Sequence, residues 1–192
     1  NTSYFGDTIL TDALCRNLKR LYPESRLVFI SNKPFADISR YMDGVDEVWT
    51  YDKWGIHKGL AGWYKFYKEH KNQYVFDVAF VIYGNERGIL LSKFLGAKKI
   101  YADNRHAIVR LLLSNGKINY GKWIHVQDRH AYLAELYAGK PMESMKIRYN
   151  VPDEAFAYIN EQLLKGISKP IIALNPVTKR KEKDLKPDTL LT

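Results

Sequence analysis

The apolar positions along this 192-residue chain switch repeatedly between a helical and an extended spacing. Over residues 7–21, Ile9, Leu10, Ala13, Leu14, Leu18 and Leu21 recur at three- and four-residue steps, which predicts one helix with an apolar face. Tyr22-Pro23 ends it, because proline has no N–H to continue the ladder. Residues 26–31, RLVFIS, form a short run of the kind buried on both faces of a parallel sheet. The alternation continues with a short helix over 34–42, a strand over 47–51 and a helix over 57–70 that carries Trp63, Tyr64, Phe66 and Tyr67. Residues 76–83, FDVAFVIY, give the strongest strand pattern, stopped by Gly84. A helix over 86–95 closed by Gly96 and a strand over 99–102 follow. Residues 104–123 are less regular, with an apolar helical stretch over 108–113 and a turn signal at Ser114-Asn115-Gly116. A helix is expected over 125–137. Another opens at Pro152-Asp153-Glu154, with proline and acids where a helix start favours them, and reaches Leu164, with Gly166 ending it. A last strand is expected over 170–175.

Strands separated by helices of this length predict an α/β fold, a parallel sheet with crossover helices on both faces. Ligands in such sheets bind beyond the carboxyl ends of the strands. That rule selects the loops at 2–7, 32–34 and 84–87. A parallel sheet also places a strand ahead of its first helix. The pattern therefore leads to the expectation that a first strand lies upstream of Asn1 and that the final unit continues past Thr192.

Composition narrows the partners more than the fold. An apolar fraction of 46% is enough to fill a core. No run approaches the roughly 18 apolar residues of a membrane span. The formal net charge of +9 favours anionic partners, among them nucleic acid, an acidic membrane face and phosphorylated small molecules. The densest basic run, Lys179-Arg180-Lys181-Glu182-Lys183, reads by itself as a solvated segment. The single cysteine, Cys15, excludes an internal disulfide, fits a reducing compartment and sits among leucines as a small core residue.

The candidate chemistry centres on Thr2-Ser3-Tyr4-Phe5-Gly6-Asp7. This segment puts Asp7 in the first turn of a helix, at the positive end of its dipole, behind a glycine that permits close approach. A carboxylate held there serves either as a helix cap or as a general base. Arg87 could grip a phosphate in a forked pair or join an acidic neighbour at the surface. His125 reads as a structural residue at a helix start. The aromatic cluster at 63–67, interleaved with lysines, reads as core with the lysines turned outward, against the alternatives of lipid or sugar contact. The one cysteine and five scattered histidines have no metal-ligand spacing, and no serine or cysteine nucleophile motif is present.

Three ordered blocks resemble glycosyltransferase family nine, the lipopolysaccharide heptosyltransferases and their relatives. The first is Thr2 to Asp7 with Thr11 and the Leu21-Tyr22-Pro23 stop. The second is the strand and loop ending in Gly84-Asn85-Glu86-Arg87 before a helix. The third is Ala173-Leu174-Asn175-Pro176-Val177-Thr178 followed by Lys183-Asp184-Leu185-Lys186-Pro187. The chain departs from the family pattern at Asp12-Ala13, where a proline is frequent, at Val177 and near Leu185.

The resemblance implies the amino-terminal half of a two-domain GT-B enzyme built from Rossmann-like units. Residues 1–150 would be the acceptor-side domain without its first strand. Residues 151–192 would be the start of the nucleotide-sugar domain. It implies inverting, metal-independent transfer of a heptose-like sugar from a nucleotide-diphosphate donor, ADP-heptose as first guess, to a lipopolysaccharide or other envelope glycan. It assigns Asp7 as catalytic base, Thr178, Lys179 and Lys183 to the donor, and Thr2, Ser3, Gly6, Asn85 and Arg87 to the acceptor. No cofactor or metal is implied. The implied partners are a nucleotide sugar and an anionic glycolipid, in the cytoplasm with peripheral contact at the inner membrane. No nucleic acid is expected. The alternative readings are a noncatalytic domain that binds a phosphorylated ligand and, more remotely, a basic nucleic-acid-binding module.

Overall fold

The computed structural model describes residues 4–83, 86–102, 111–115, 118 and 125–171. The chain divides into two compact units, Asn1–Pro152 and Asp153–Thr192.

In the first unit the described strands are β1 (Val28–Asn32), β2 (Glu47–Tyr51), β3 (Val78–Val81) and β4 (Lys99–Ala102). The helices are α1 (Phe5–Ile9), α2 (Asp12–Leu21), α3 (Ala36–Arg40), α4 (Gly59–His70), α5 (Glu86–Phe94) and α6 (Val126–Ala138), with a 3-10 turn at Lys33–Phe35. The fold is α/β, as the alternating pattern predicted. β1 pairs in parallel with β2, Val28 opposite Glu47 and Asn32 opposite Tyr51, and β3 pairs in parallel with β4, Val78 opposite Lys99. Among the described residues these are two separate two-stranded sheets rather than the one continuous sheet expected.

The period-2 alternation of the strands assigns the two faces. Val78, Phe80 and Ile82 of the β3 segment and Tyr101 of β4 pack with Leu14 and Leu18 of α2 and with Leu133 and Ala134 of α6. Phe29 of β1 joins the same layer through Cys15 of α2 and Met42. On the opposite face Ala79, Val81, Ile100 and Ala102 meet Ile89 of α5, while Val28, Ile30, Trp49 and Tyr51 meet Phe66 of α4 and Leu91 and Leu95 of α5. Helices α2 and α5 thus each touch both strand pairs. Cys15 is buried, and burial pushes its thiol up to about 12, so it serves as a small apolar filler in the protonated form.

Four expectations need correction. The helix read over 7–21 is two helices, because the chain turns at Leu10-Thr11. The side chains there favour the break: Thr11 Oγ1 donates to the Asp7 carbonyl at 3.0 Å, an alternative to helix continuation that the periodicity does not register. The strand read over 76–83 is regular only over Val78–Val81. Its flanks are diverted: Phe76 and Asp77 carbonyls accept from Lys98 and Lys99, and Tyr83 takes a left-handed φ of 60°. The aromatic cluster is split. Phe66 is fully buried and Trp63 and Tyr67 are partly so, but Tyr64 lies on the outer side beneath Lys68, whose Nζ is 5.5 Å from its ring. Helix α4 also starts later than read, at Gly59, because His57 is folded into the preceding turn.

In the second unit, α7 (Asp153–Tyr158) continues as a wider π-type turn over Ile159–Leu163, where a single α-helix was read. Most of the strand expected over 170–175 lies outside the described residues.

Candidate active site

The carboxyl ends of β1, β2 and β3 meet α1, the Lys33–Phe35 turn, the turn at 52–58 and the first residues of α5. Helix α1 begins after Tyr4 and packs at this end, with the Phe5 ring 6.3 Å from that of Phe35 in an edge arrangement. Asp7 is half-buried in its first turn, and Oδ2 accepts the Tyr4 N–H at 3.3 Å. Thr8, fully buried, donates to the Tyr4 carbonyl at 3.2 Å and secures the same turn. The capping reading of Asp7 is therefore realised in the structure. It does not compete with a proton-accepting role, because a carboxylate offers about four lone-pair sites. Gly6 is exposed, and a Cβ there would meet nothing within 4 Å, so the backbone beside Asp7 is open to a ligand.

One residue that the sequence reading did not select holds the far end of α1. His130, buried on α6, lies with Nδ1 3.1 Å from the Leu10 carbonyl. A carbonyl only accepts, so Nδ1 carries the proton and the tautomer is set. The same ring stands edge-on to Tyr83 at 5.2 Å, at the end of the β3 segment. The only sequence signal for His130 was a polar residue on the buried side of a helix. The carboxyl end of β1 presents Asn32, fully buried, whose Oδ1 accepts the Lys33 N–H at 3.1 Å while Nδ2 has no partner among the described residues.

Arg87 lies exposed in the first turn of α5, held by its backbone: the Trp63 Nε1–H donates to its carbonyl at 3.3 Å. Its guanidinium forms no ion pair among the described residues. Burial pushes the Tyr51 hydroxyl up, and the positive charge of Arg87 partly offsets that. Tyr51 Oη donates to the His57 carbonyl at 3.0 Å. His57 Nδ1 accepts the Asp52 N–H at 2.9 Å, and Nε2 faces Glu69 at 3.0 Å. Lys33 Nζ sits 3.0 Å from Asp52 and holds that carboxyl below the usual range. Gly62 makes the turn possible, since a Cβ there would come within 2.2 Å of the His57 backbone.

Of the residues selected from the sequence, Asp7, Gly6 and Arg87 are thus placed at one end of the strands, on two helices. Thr2, Ser3, Asn85, Thr178, Lys179 and Lys183 lie outside the described residues. His125 caps α6, its Nδ1 accepting the Gln127 N–H at 3.3 Å, the structural role read for it. Among the described residues no three His, Cys, Asp or Glu side chains gather in a metal-binding group, and no helix is long and apolar enough to cross a membrane.

Comparison with solved structures gives a consistent result. A family 9 glycosyl transferase from Veillonella parvula DSM 2008 superposes with a TM-score of 0.71 at 19% identity, over 80% of this chain and 44% of that one. The E. coli heptosyltransferase WaaC with ADP-2-deoxy-2-fluoro heptose gives 0.62 at 17% identity, over 77% and 50%. The E. coli ADP-heptose lps heptosyltransferase II gives 0.61 at 17% identity, over 84% and 48%. This chain shares their fold. They are solved members and relatives of the family that the three sequence blocks resemble, and the chain spans about half the length of each. No protein-family model and no curated protein sequence matches the chain.

Proposed function

We propose that this chain is the acceptor-side part of an inverting glycosyltransferase, with Asp7 as its general base. The observation that carries the reading is the position of Asp7 within a family 9-like fold: half-buried in the first turn of α1, beyond the carboxyl ends of the strands, beside an open Gly6. The reaction is a single displacement. An acceptor hydroxyl oxygen bonds to the anomeric carbon, the bond from that carbon to the donor phosphate breaks, and the electron pair leaves on the nucleoside diphosphate. The hydroxyl proton passes to the Asp7 carboxylate as the new bond forms. Catalysis by such a base contributes about 10²- to 10⁴-fold.

The exposed guanidinium of Arg87, on the neighbouring helix, suits an anionic group of the acceptor, such as a phosphate of an envelope glycolipid. The proposed donor is a nucleotide-diphosphate sugar of the ADP-heptose type. The leaving diphosphate would be met by Thr178, Lys179 and Lys183, as the family resemblance assigns them. The proposed setting is the cytoplasmic face of the inner membrane, where a soluble donor and a lipid-anchored acceptor meet.

Asp7→Asn is the decisive variant. Asparagine keeps an oxygen for the Tyr4 N–H but is no base. Transfer from ADP-heptose to a lipopolysaccharide acceptor, measured with the complete gene product, should fall about 10²- to 10⁴-fold with little change in Tm. Turnover near the parent rate rejects the base assignment, and loss of Tm in step with turnover reduces Asp7 to its capping role.

A further inference from the structure

Residues 142–150, near the end of the first unit, have no regular secondary structure, yet side chains of two helices hold their backbone. An extended segment outside any sheet must find partners for its N–H and C=O groups elsewhere. Asn17 Nδ2 donates to the Glu143 carbonyl at 2.9 Å, and Asn17 Oδ1 accepts the Glu143 N–H at 3.1 Å, so one side-chain amide stands in for a neighbouring strand. Asp12 Oδ2 accepts the Arg148 N–H at 3.1 Å. Arg16 donates to the Lys146 carbonyl and is itself held by Asp12, with Nε 3.0 Å from Oδ2. From α6, Glu135 accepts the Met142 N–H at 3.1 Å, and Gln127 donates to the Met145 carbonyl. The partners step from Asn17 to Asp12 and from Glu135 to Gln127 as the segment advances. It is therefore a strap that runs antiparallel to both helices, along the groove where α2 and α6 pack together.

Two of the holders are buried polar side chains, Asn17 completely and Asp12 at 1% exposure. A buried carboxylate needs both a counter-charge and hydrogen bonds, and Asp12 finds them in Arg16 and in the strap. Its place in the chain gives it reach. Asp12 is the first residue of α2, directly after the turn that ends α1. In that turn Thr11 bonds back to the α1 piece twice, its N–H to the Thr8 carbonyl at 3.1 Å and its hydroxyl to the Asp7 carbonyl at 3.0 Å. The lock begins at Asp12-Ala13, one of the points where the chain departs from the family pattern, so it belongs to this chain's own residues.

We propose that Asp12 is a positioning residue for sugar transfer: with Asn17 it locks the 142–150 strap onto α2, and the locked start of α2 fixes the α1 piece that carries Asp7. The proposal rests on the reading of Asp7 as the base. Buried as it is, Asp12 acts through the turn and not on a substrate. A base must lie within hydrogen-bond reach of the hydroxyl it deprotonates. A displacement of about 1 Å can cost about 10²-fold in rate. Release of a piece that His130 still holds should cost less, about tenfold.

The test is a double-mutant cycle on the complete gene product, read by transfer from ADP-heptose to a lipopolysaccharide acceptor. In the parent, Asp12→Ala should lower kcat about tenfold and leave both KM values within about twofold. In the Asp7→Asn background it should lower kcat no further, because an absent base cannot be misplaced. Asp12→Asn keeps an acceptor for the Arg148 N–H but loses the charge facing Arg16, and Asn17→Ala cuts the strap further along α2. Each should give a smaller, equally non-additive loss of about threefold, and these two decide the matter if Asp12→Ala does not fold. Hydrogen exchange reads the lock itself. The Arg148 and Glu143 amides should be protected in the parent and exchange at least about tenfold faster in Asp12→Ala and Asn17→Ala respectively. The proposal is overturned if the strap variants leave kcat at the parent value, if they lower it by the same factor in both backgrounds, or if the two amides exchange freely in the parent. An additive cycle with an inactive Asp7→Asn rejects the positioning role alone. An active Asp7→Asn rejects the base reading and this proposal with it.

Discussion

The two ends of the strands are built on different principles. At the amino end the described charges neutralise one another. Lys19 pairs with Asp46 at 2.7 Å, Arg26 with Glu47 at 2.9 Å and Lys98 with Asp77 at 2.7 Å. Tyr74 and Trp49 add hydrogen bonds to Glu47, both at 2.7 Å. Asp46 also receives the Leu27 N–H at 2.6 Å, which fastens the start of β1 to the start of β2. At the carboxyl end Asp7 is fixed by a backbone N–H, and the Arg87 guanidinium makes no ion pair among the described residues. The pairs at the amino end fasten the strand starts in register, whereas the candidate groups Asp7 and Arg87 stand at the carboxyl end beside the pair of Lys33 with Asp52. That division is the pattern expected when ligands bind beyond the carboxyl ends.

The largest effect should come from Asp7→Asn, which should change turnover and leave stability in place. Asp46→Ala should invert that pattern. It removes the partner of Lys19 and of a backbone N–H, and chemical denaturation should register a loss of about 1 kcal/mol, a figure already discounted for its solvent exposure, with transfer unaffected. If Asp46→Ala abolishes transfer in a protein of unchanged stability, the distinction between the ends fails.

Acid should sharpen the contrast in two steps. Burial lowers the His70 imidazole below its ordinary value, and His70 Nδ1 is buried without a partner among the described residues. The unfolded chain therefore takes up the proton first, and this share of the stability is full above about pH 6.5 and declines as pH falls through the lower folded value. The carboxyls act further down. Burial alone would raise Asp46, but the hydrogen bonds from Lys19 and the Leu27 N–H outweigh it and hold it low. Glu47 is lowered by Tyr74, Trp49 and Arg26, and Asp77 by Lys98. Their contribution is complete above about pH 4 and is lost as pH falls through the depressed folded values. Urea titrations from pH 7 to 3 should show both declines, and His70→Phe should flatten the upper one. A single decline confined to the lower range would count against the role given to His70.

Arg87→Ala should weaken acceptor binding about three- to tenfold, read as a raised KM with kcat little changed, and leave Tm unaltered. The smallest effect belongs to Lys98→Ala. Its exposed pair with Asp77 should give no measurable change in either property, and a clear loss of stability there would show that the amino-end pairs act as a network.

The sequence was most legible where burial and turn chemistry agree. β2 and β4 have the bounds read from their residues, because a polar or turn segment limits each short run. Asp7 was legible as a first-turn carboxylate because glycine, acid and apolar step fall together. The break at Leu10-Thr11 was not, since threonine is neutral to periodicity and the bend depends on hydrogen bonds to Asp7 and His130. His130 and Tyr83 were invisible for a related reason: His130 reaches the end of α1 from α6, 120 residues away, and Tyr83 meets the same ring from the end of β3. Which strands pair with which was equally out of reach, because strand order is a property of the space between elements.

The turn between α1 and α2 has a consequence of its own. A carboxylate on the one unbroken helix expected over 7–21 would answer to everything that moves the rod. Here five residues form a separate short piece, clamped at its rear by the His130 imidazole. The aim of the acidic group is thus set sideways, from a helix more than a hundred positions downstream, so substitutions along α6 should turn the Asp7 carboxylate without touching it.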